Sequence, residues 1–268
     1  MKSPSQNSKM LTLTQQASGH LQASRSKEID PIVEQIKSAV DRAIVDKESA
    51  REKRTYLGAS SLGDECSRKL QYRYIGYQED EGRGFTARTF RIFQVGHDSE
   101  SIMARYITDA GFDLRTEDRK GRQFGFSAAD DQIKGHIDGV VCGGPIDVNM
   151  NYPCLWEAKT ASEKKFNEFV RMGVNKANPV YAAQIALYQA YMNLTEHPCL
   201  FTVYNKNNSE IYYELVPFDP HLAQRTSDKA VTILTAAQAG DILPRIAQSK
   251  DFFLCKMCDY RETCWKDE

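Results

Sequence analysis

Two runs, Lys134-Gly-His-Ile-Asp138-Gly-Val-Val141 and Cys154-Leu-Trp-Glu157-Ala-Lys159-Thr160, decide how the rest of this chain is read. Each is short and apolar in alternation, and a Gly/Pro-containing connection separates them, which is the pattern of a β-hairpin. Val140 and Val141 support the first strand, Leu155 and Trp156 the second. Asp138 falls in the first strand, nineteen positions before Glu157. Glu157 and Lys159 are two apart, so the strand period puts them on one face and Ala158 on the other. Two carboxylates and an amine thus converge beside a sheet. A hard cation such as Mg²⁺ prefers oxygen ligands and keeps several waters. Asp138 and Glu157 can hold such an ion while Lys159 orients or activates a water, a minimal apparatus for metal-assisted phosphodiester hydrolysis. Glu-x-Lys strands also occur on solvated sheet faces, so the assignment needs partners elsewhere in the chain.

The bulk composition narrows the class. A chain of 268 residues can bury a large core as one big domain or two small ones. With 41% hydrophobic and 26% charged residues it reads as an ordinary globular protein. A net charge of −1 gives no global basic field, so any DNA binding rests on local patches. No apolar run is long enough to span a bilayer, and no secretory signal opens the chain. A cytoplasmic location follows as the expectation (host cytoplasm if phage-encoded), and there cysteines seldom form structural disulfides.

Residues 1–27, rich in Ser, Gln and Lys, are expected to form a disordered leader. From Glu28, Ile32, Val33, Ile36, Val40 and Ile44 recur at helical spacing, giving an amphipathic helical extension over 28–55. Ser61 is a candidate N-cap for a helix carrying Cys66, Arg68, Leu70 and Tyr72. Residues 78–86 make a polar loop. A second helix spans about 88–110 and stops at Gly111; Gly96 and Glu100 share one side of it. Strands over 112–128 enclose a basic turn, Arg119 to Arg122. Beyond Thr160, Ser162 caps a helix ending near Gly173, with Lys164, Lys165 and Arg171 placed for phosphate contacts. Pro179 opens an apolar helix to about Leu194, in which Gln184 and Tyr188 share a face; a buried Gln needs a hydrogen-bond partner, so Gln184 is a candidate to hold the strand or a nucleotide backbone. Strands over 199–204 and 210–216, then a helix over about 220–239, complete a domain running from 56 to 254.

The final segment, 255–268, holds Cys255, Cys258 and Cys264, three cysteines in ten residues beginning with Cys-x-x-Cys. This is a strong metal-ligand signal. Thiolates select zinc, copper(I) or iron–sulfur clusters, and Cys66 is the plausible fourth ligand. Spacing alone does not separate zinc from [4Fe–4S], with zinc slightly favoured by its commonness. Cys142, Cys154 and Cys199 fall on expected strands and read as core.

These elements, taken in order, resemble the iron–sulfur branch of the PD-(D/E)XK nucleases, RecB-type domains that include CRISPR-associated exonucleases and phage relatives. The resemblance covers roughly residues 60–264. It is carried by Cys66 with Arg68, Gly96 with Glu100, Gly135-x-x-Asp138-Gly139, Glu157-x-Lys159, Gln184-x-x-x-Tyr188 and the closing Cys-x-x-Cys-x5-Cys. It implies an α/β fold with a central mixed β-sheet flanked by helices (restriction-endonuclease-like). It implies Mg²⁺ or Mn²⁺ at Asp138 and Glu157 with the backbone carbonyl of Ala158. It also implies a [4Fe–4S] cluster on Cys66, Cys255, Cys258 and Cys264, which reverses the preference for zinc and joins the N-terminal helix to the C-terminal tail. Many relatives carry His where this chain has Glu100; others use Glu there, so Glu100 remains a metal ligand in this reading.

The function implied is a metal-dependent deoxyribonuclease, an exonuclease on single-stranded DNA or DNA ends. Lys159 positions the water, and Gln184 and Tyr188 orient the strand or the DNA, with Tyr181 able to stack on bases. The competing expectations are a DNA-end binding or recombination module with little hydrolysis, and a zinc-stabilised binding protein. Partners in recombination, replication or CRISPR adaptation all fit.

Overall fold

The computed structural model describes residues 30–51 and 54–266. The leader expected over 1–27 lies outside the described residues. The described residues divide into two units between Ala43 and Ile44. Helix α1 (Pro31–Ser49) carries the apolar stripe expected of it, but no residue in it is buried, and Ile32, Val33, Ile36 and Val40 are exposed.

The larger unit is a mixed α/β structure with mixed sheets flanked by helices, as expected, but it holds two sheets where one central sheet is expected. Strands β1 (Leu57–Gly58), β4 (Ile133–His136) and β3 (Gly125–Ala128) form a small mixed sheet in that order. Strands β2 (Leu114–Arg115), β5 (Gly139–Val141), β6 (Cys154–Ala161), β7 (Cys199–Asn205) and β8 (Ile211–Val216) form a five-stranded one. In the larger sheet β6 and β7 are parallel and the other neighbours antiparallel. The alternation from Ile133 to Val141 reads as one strand in the sequence, yet it serves both sheets. It breaks at Ile137 and Asp138, so Asp138 stands at the joint between β4 and β5 and not within a strand.

The hairpin itself is present, with Gly139 opposite Trp156 and Val141 opposite Cys154. Because β5 begins at Gly139, the second half of β6 outruns it. On that flank Glu157 to Ala161 have no strand partner among the described residues, while on the other flank they pair with Phe201 to Asn205 of β7. This open flank positions the site.

Helices cover both faces of β6. Helix α3 (Ala87–Asp109) packs Met103 and Ile107 against Cys154, Trp156 and Ala158. On the opposite face lie α4 (Glu163–Ala177) and α5 (Pro179–Tyr191), with Phe166, Phe169, Ile185 and Leu187 packed against Leu155 and Ala161. Helix α5 is buried without interruption from Ala182 to Gln189, so its apolar residues run all round it. Its start follows the sequence signal: the Asn178 side chain accepts from the Tyr181 N–H, and Pro179 occupies the first turn. Helix α4 kinks at Gly173, where the end was expected, and continues to Ala177.

Helix α2 (Ser67–Tyr74) begins later than Ser61 suggests. Residues Ala59–Ser61 form a 3₁₀ turn, the Ser61 hydroxyl donates to the Gly58 carbonyl, and Cys66 is the N-cap. Helix α6 (Pro220–Ala239) ends on Gly240 in the left-handed region (φ 77°), as a C-terminal glycine does. Two short helices, α7 (Phe253–Lys256) and α8 (Arg261–Trp265), carry the cysteine tail. Among the described residues no helix is long and apolar enough to cross a membrane.

Candidate active site

Glu157 is completely buried on the face of β6 that α5 covers. Its Oε1 accepts a hydrogen bond of 2.6 Å from Gln184 Nε2 and pairs with the Lys159 ammonium. Its Oε2 is buried with no hydrogen-bond partner among the described residues. A buried carboxylate oxygen left without a donor costs free energy, and such an atom calls for an explanation by an ion or water. Asp138 reaches across the open flank: its Oδ2 accepts from the Ala158 N–H at 2.8 Å, taking the place a strand carbonyl would hold.

The charges feel one another. Burial, then the Asp138 carboxylate, pushes Glu157 from 4.5 up to about 8 against the pull of Lys159. On α3, burial and then Asp138 push Glu100 up to about 7, again against Lys159. For Lys159 burial opposes the charge, but Glu157 and Asp138 outweigh it and hold the ammonium above its ordinary value. The gain in this pair is therefore unequal. One ammonium sits among three acids, so it is firmly charged, while each acid suffers from the others and from lost solvation. The Lys159 nitrogen also lies 5.3 Å from the centre of the Tyr181 ring. Tyr181 packs parallel to Phe169 at 6.3 Å, so its ring has a core role alongside this contact.

Glu100, Asp138, Gln184 and Tyr188 line a cleft of about 660 Å³. Burial raises the Tyr188 hydroxyl, and the ring lies beside Gln184 in this cleft. Gly135 makes this ring's seat: a Cβ there would stand 2.8 Å from Tyr188 Cε1 and 2.5 Å from Phe126 Cε1. The same cleft has cationic and aromatic lining that sequence reasoning left without a role, namely Arg54, Tyr56 and Lys134. The Arg54 guanidinium and the Lys134 ammonium lie 5.9 and 5.6 Å from the Tyr56 ring centre. Arg54 reads in the sequence as the end of a solvated charged stretch; only Lys134, at the head of the decisive run, offered a signal. Lys134 itself pairs with the exposed Asp131 at 3.2 Å, and the other basic candidates are engaged as well. Arg122 of the basic turn pairs with Asp118 at 2.6 Å, and Lys165 is bonded to Glu168 and to the Ala177 carbonyl.

The four tail-and-helix cysteines meet in a second cavity, of about 100 Å³, lined by Cys66, Cys255, Cys258 and Cys264. Burial raises the thiols of Cys66, Cys255 and Cys258, and neighbouring cysteines add to the rise. Lys69, Arg245 and Arg261 share this cavity, and Lys69 and Arg261 draw the Cys258 and Cys255 thiols back down. Among the other cysteines, Cys154 and Cys199 are buried at the starts of β6 and β7, and Cys142 is half-buried just past β5. Among the described residues no three His, Cys, Asp or Glu side chains already stand close enough to hold a metal ion. Both donor sets nonetheless fit one by their chemistry: oxygens with an orphaned buried carboxylate atom for a hard cation, and four thiols in one cavity for a soft metal or cluster.

No family model matches this chain, and no curated protein sequence matches it. Solved structures with a similar chain path include an alkaline exonuclease, LHK-Exo, from Laribacter hongkongensis, at TM-score 0.49 and 17% identity, covering 70% of this chain and 90% of that one. The same enzyme in complex with dAMP gives TM-score 0.47 and 16% identity, covering 69% and 89%. The protein SSO0001 gives TM-score 0.48 and 12% identity, covering 85% and 96%. Identities this low transfer neither a residue role nor an activity.

Proposed function

We propose that this chain is a divalent-metal-dependent deoxyribonuclease, acting as an exonuclease on single-stranded DNA or DNA ends. The observation that carries the reading is the buried, unpartnered Oε2 of Glu157, held beside Asp138 and the Lys159 ammonium at the open flank of β6. When bound, Mg²⁺ or Mn²⁺ supplies charge to polarise the scissile phosphate and to acidify a water. Asp138, Glu157, Glu100 and the Ala158 carbonyl are the residues that would hold it.

The chain's own groups do the rest. Gln184 fixes Glu157 by one oxygen and leaves the other without a donor, although Glu157 itself lies behind the cleft lining and not on it. Asp138 is fixed by the Ala158 N–H in the same way. Lys159 stays protonated, so it acts as a donor that orients the attacking water and meets negative charge developing on the phosphoryl oxygens. Tyr188, beside Gln184 in the cleft, orients the strand or the DNA. Arg54 and Lys134 give a near-neutral protein a local cationic wall for a polyanion, and Tyr56 between them offers a ring face to a base. The reading includes a structural [4Fe–4S] cluster on Cys66, Cys255, Cys258 and Cys264, with zinc as its alternative; anaerobically purified protein that is brown supports the cluster, and colourless protein rejects it.

The test is cleavage of end-labelled single-stranded and duplex DNA with Mn²⁺ or Mg²⁺ by wild type, Asp138→Asn and Lys159→Met. Each substitution should cost on the order of 10²–10³ in rate. Equal cleavage by all three rejects the assignment. Binding of labelled ends with no metal-dependent cleavage by wild type would instead make this a DNA-end binding module.

A further inference from the structure

We propose that Asp80 is a positioning residue that holds the C-terminal cysteine segment in place before any metal arrives, so that the four cysteines already share one cavity and only their side chains must close on an ion. Asp80 lies in the polar loop over 78–86, for which the sequence suggests no role. Its Oδ2 accepts from the Glu262 N–H at 2.5 Å, and its Oδ1 accepts from the Thr263 N–H at 3.0 Å and the Thr263 hydroxyl at 2.7 Å. Its own N–H donates to the Asp259 carbonyl at 2.8 Å. One carboxylate thus caps the first turn of α8 from 182 residues away, directly beside Cys264.

The neighbouring contacts run in the same direction. Arg73 of α2 pairs with Asp259 at 2.7 Å. Arg83 donates to the Lys256 carbonyl at 3.1 Å, and Arg245 donates to the Cys264 carbonyl at 2.9 Å while its guanidinium lies 4.5 Å from the Trp265 ring centre. The Tyr72 ring meets Tyr260 edge-on at 5.5 Å. None of these contacts involves a sulfur atom or needs an ion. Charge-assisted hydrogen bonds are the stronger kind, and here they engage backbone groups on either side of Cys258 and Cys264. A segment whose backbone is ordered beforehand binds its metal more tightly, because that part of the ordering is not drawn from the binding free energy.

The experiment uses the full chain, reduced and stripped of metal, with Zn²⁺ alone as the probe. Hydrogen exchange is followed over residues 255–266 and over β6, Cys264 alkylation by N-ethylmaleimide is timed, and Zn²⁺ affinity is measured by chelator competition. Metal-free wild type should protect the tail amides. Asp80→Ala should speed tail exchange and Cys264 alkylation by about tenfold or more and weaken Zn²⁺ by a similar factor, with β6 unchanged. Zn²⁺ should restore protection in that variant, Asp80→Asn should fall between the two, and Glu81→Ala, an exposed neighbour, should behave as wild type. If Asp80→Ala loses β6 protection as well, Asp80→Asn decides by the same criteria. A metal-free wild-type tail that exchanges freely and orders only on adding Zn²⁺ overturns the proposal, as does an unchanged Zn²⁺ affinity in the variants. No DNA enters these measurements, so they stand or fall apart from the nuclease reading.

Discussion

The metal-free protein should lose stability as pH rises from about 4.5 to about 8, and Glu157→Gln should remove most of that loss. Burial and Asp138 raise the folded-state pKa of Glu157 from 4.5 to about 8. Between those values the folded protein holds a proton that the unfolded chain has released, so stability falls with rising pH by roughly 1.4 kcal/mol per pH unit. From 4.5 to about 8 the ceiling is therefore about 5 kcal/mol. Lys159 does not oppose this slope: its folded pKa is raised above 10.5, so its contribution is fully present throughout this range. Glu100, raised to about 7, adds a smaller loss of the same sign that the variant keeps. Glutamine preserves the shape of the side chain and removes its charge. Relaxation around the site and the lost partner of Lys159 reduce the gain, so the variant should exceed wild type by about 2–3 kcal/mol at pH 8 and match it near pH 4.5. The assay is urea unfolding in a chelator-containing buffer across this range, followed by tryptophan fluorescence. Mn²⁺ should close the gap by stabilising wild type alone. Parallel pH profiles for the two proteins, or a variant less stable than wild type at pH 8, would refute the reasoning.

Other changes test neighbouring parts of the site. Gln184→Leu removes the 2.6 Å donor to Glu157 and should cost about 1–3 kcal/mol in urea unfolding while lowering metal-dependent cleavage. Gly135→Ala drives a methyl into the Phe126 and Tyr188 rings and should cost about 1–3 kcal/mol, with a loss of cleavage exceeding any loss of DNA binding. Cys66→Ser should lower the bound iron or zinc per chain, measured by elemental analysis, while leaving the two sheets folded by circular dichroism. A variant retaining full metal content would remove Cys66 from the ligand set.

The sequence made some of this legible and hid the rest for identifiable reasons. The helices announced themselves through caps and breaks: Asn178-Pro179 before α5, Gly111 beyond α3, Gly240 beyond α6. The face shared by Glu157 and Lys159 followed from the strand period. The place of Asp138 did not, because alternation continues from Ile133 to Val141 while the chain changes sheets, and a period of two records which side a residue points to but not which neighbour it pairs with. Nor did composition reveal how deeply Glu157 is buried, since Glu-x-Lys reads as a wet surface until α5 covers it. Gln184 was legible through its spacing with Tyr188. Gln71 was not, though it is fully buried and its amide binds the Asp241 carbonyl and the Leu243 N–H. Arg54 and Tyr56 become part of the cleft only through tertiary placement. The roles of Asp80 and Arg73 depend on partners far along the chain, which no local pattern records.

The bond from the Ala158 amide to Asp138 ties two obligations to one side chain. An aspartate at this position satisfies the main chain where the hairpin stops and also presents a negative charge. Asparagine can discharge the first duty without the second; alanine can discharge neither. Position 138 therefore offers a way to switch off chemistry while leaving architecture alone, and an inactive protein made by the smaller change would be a faithful trap for holding an uncut substrate.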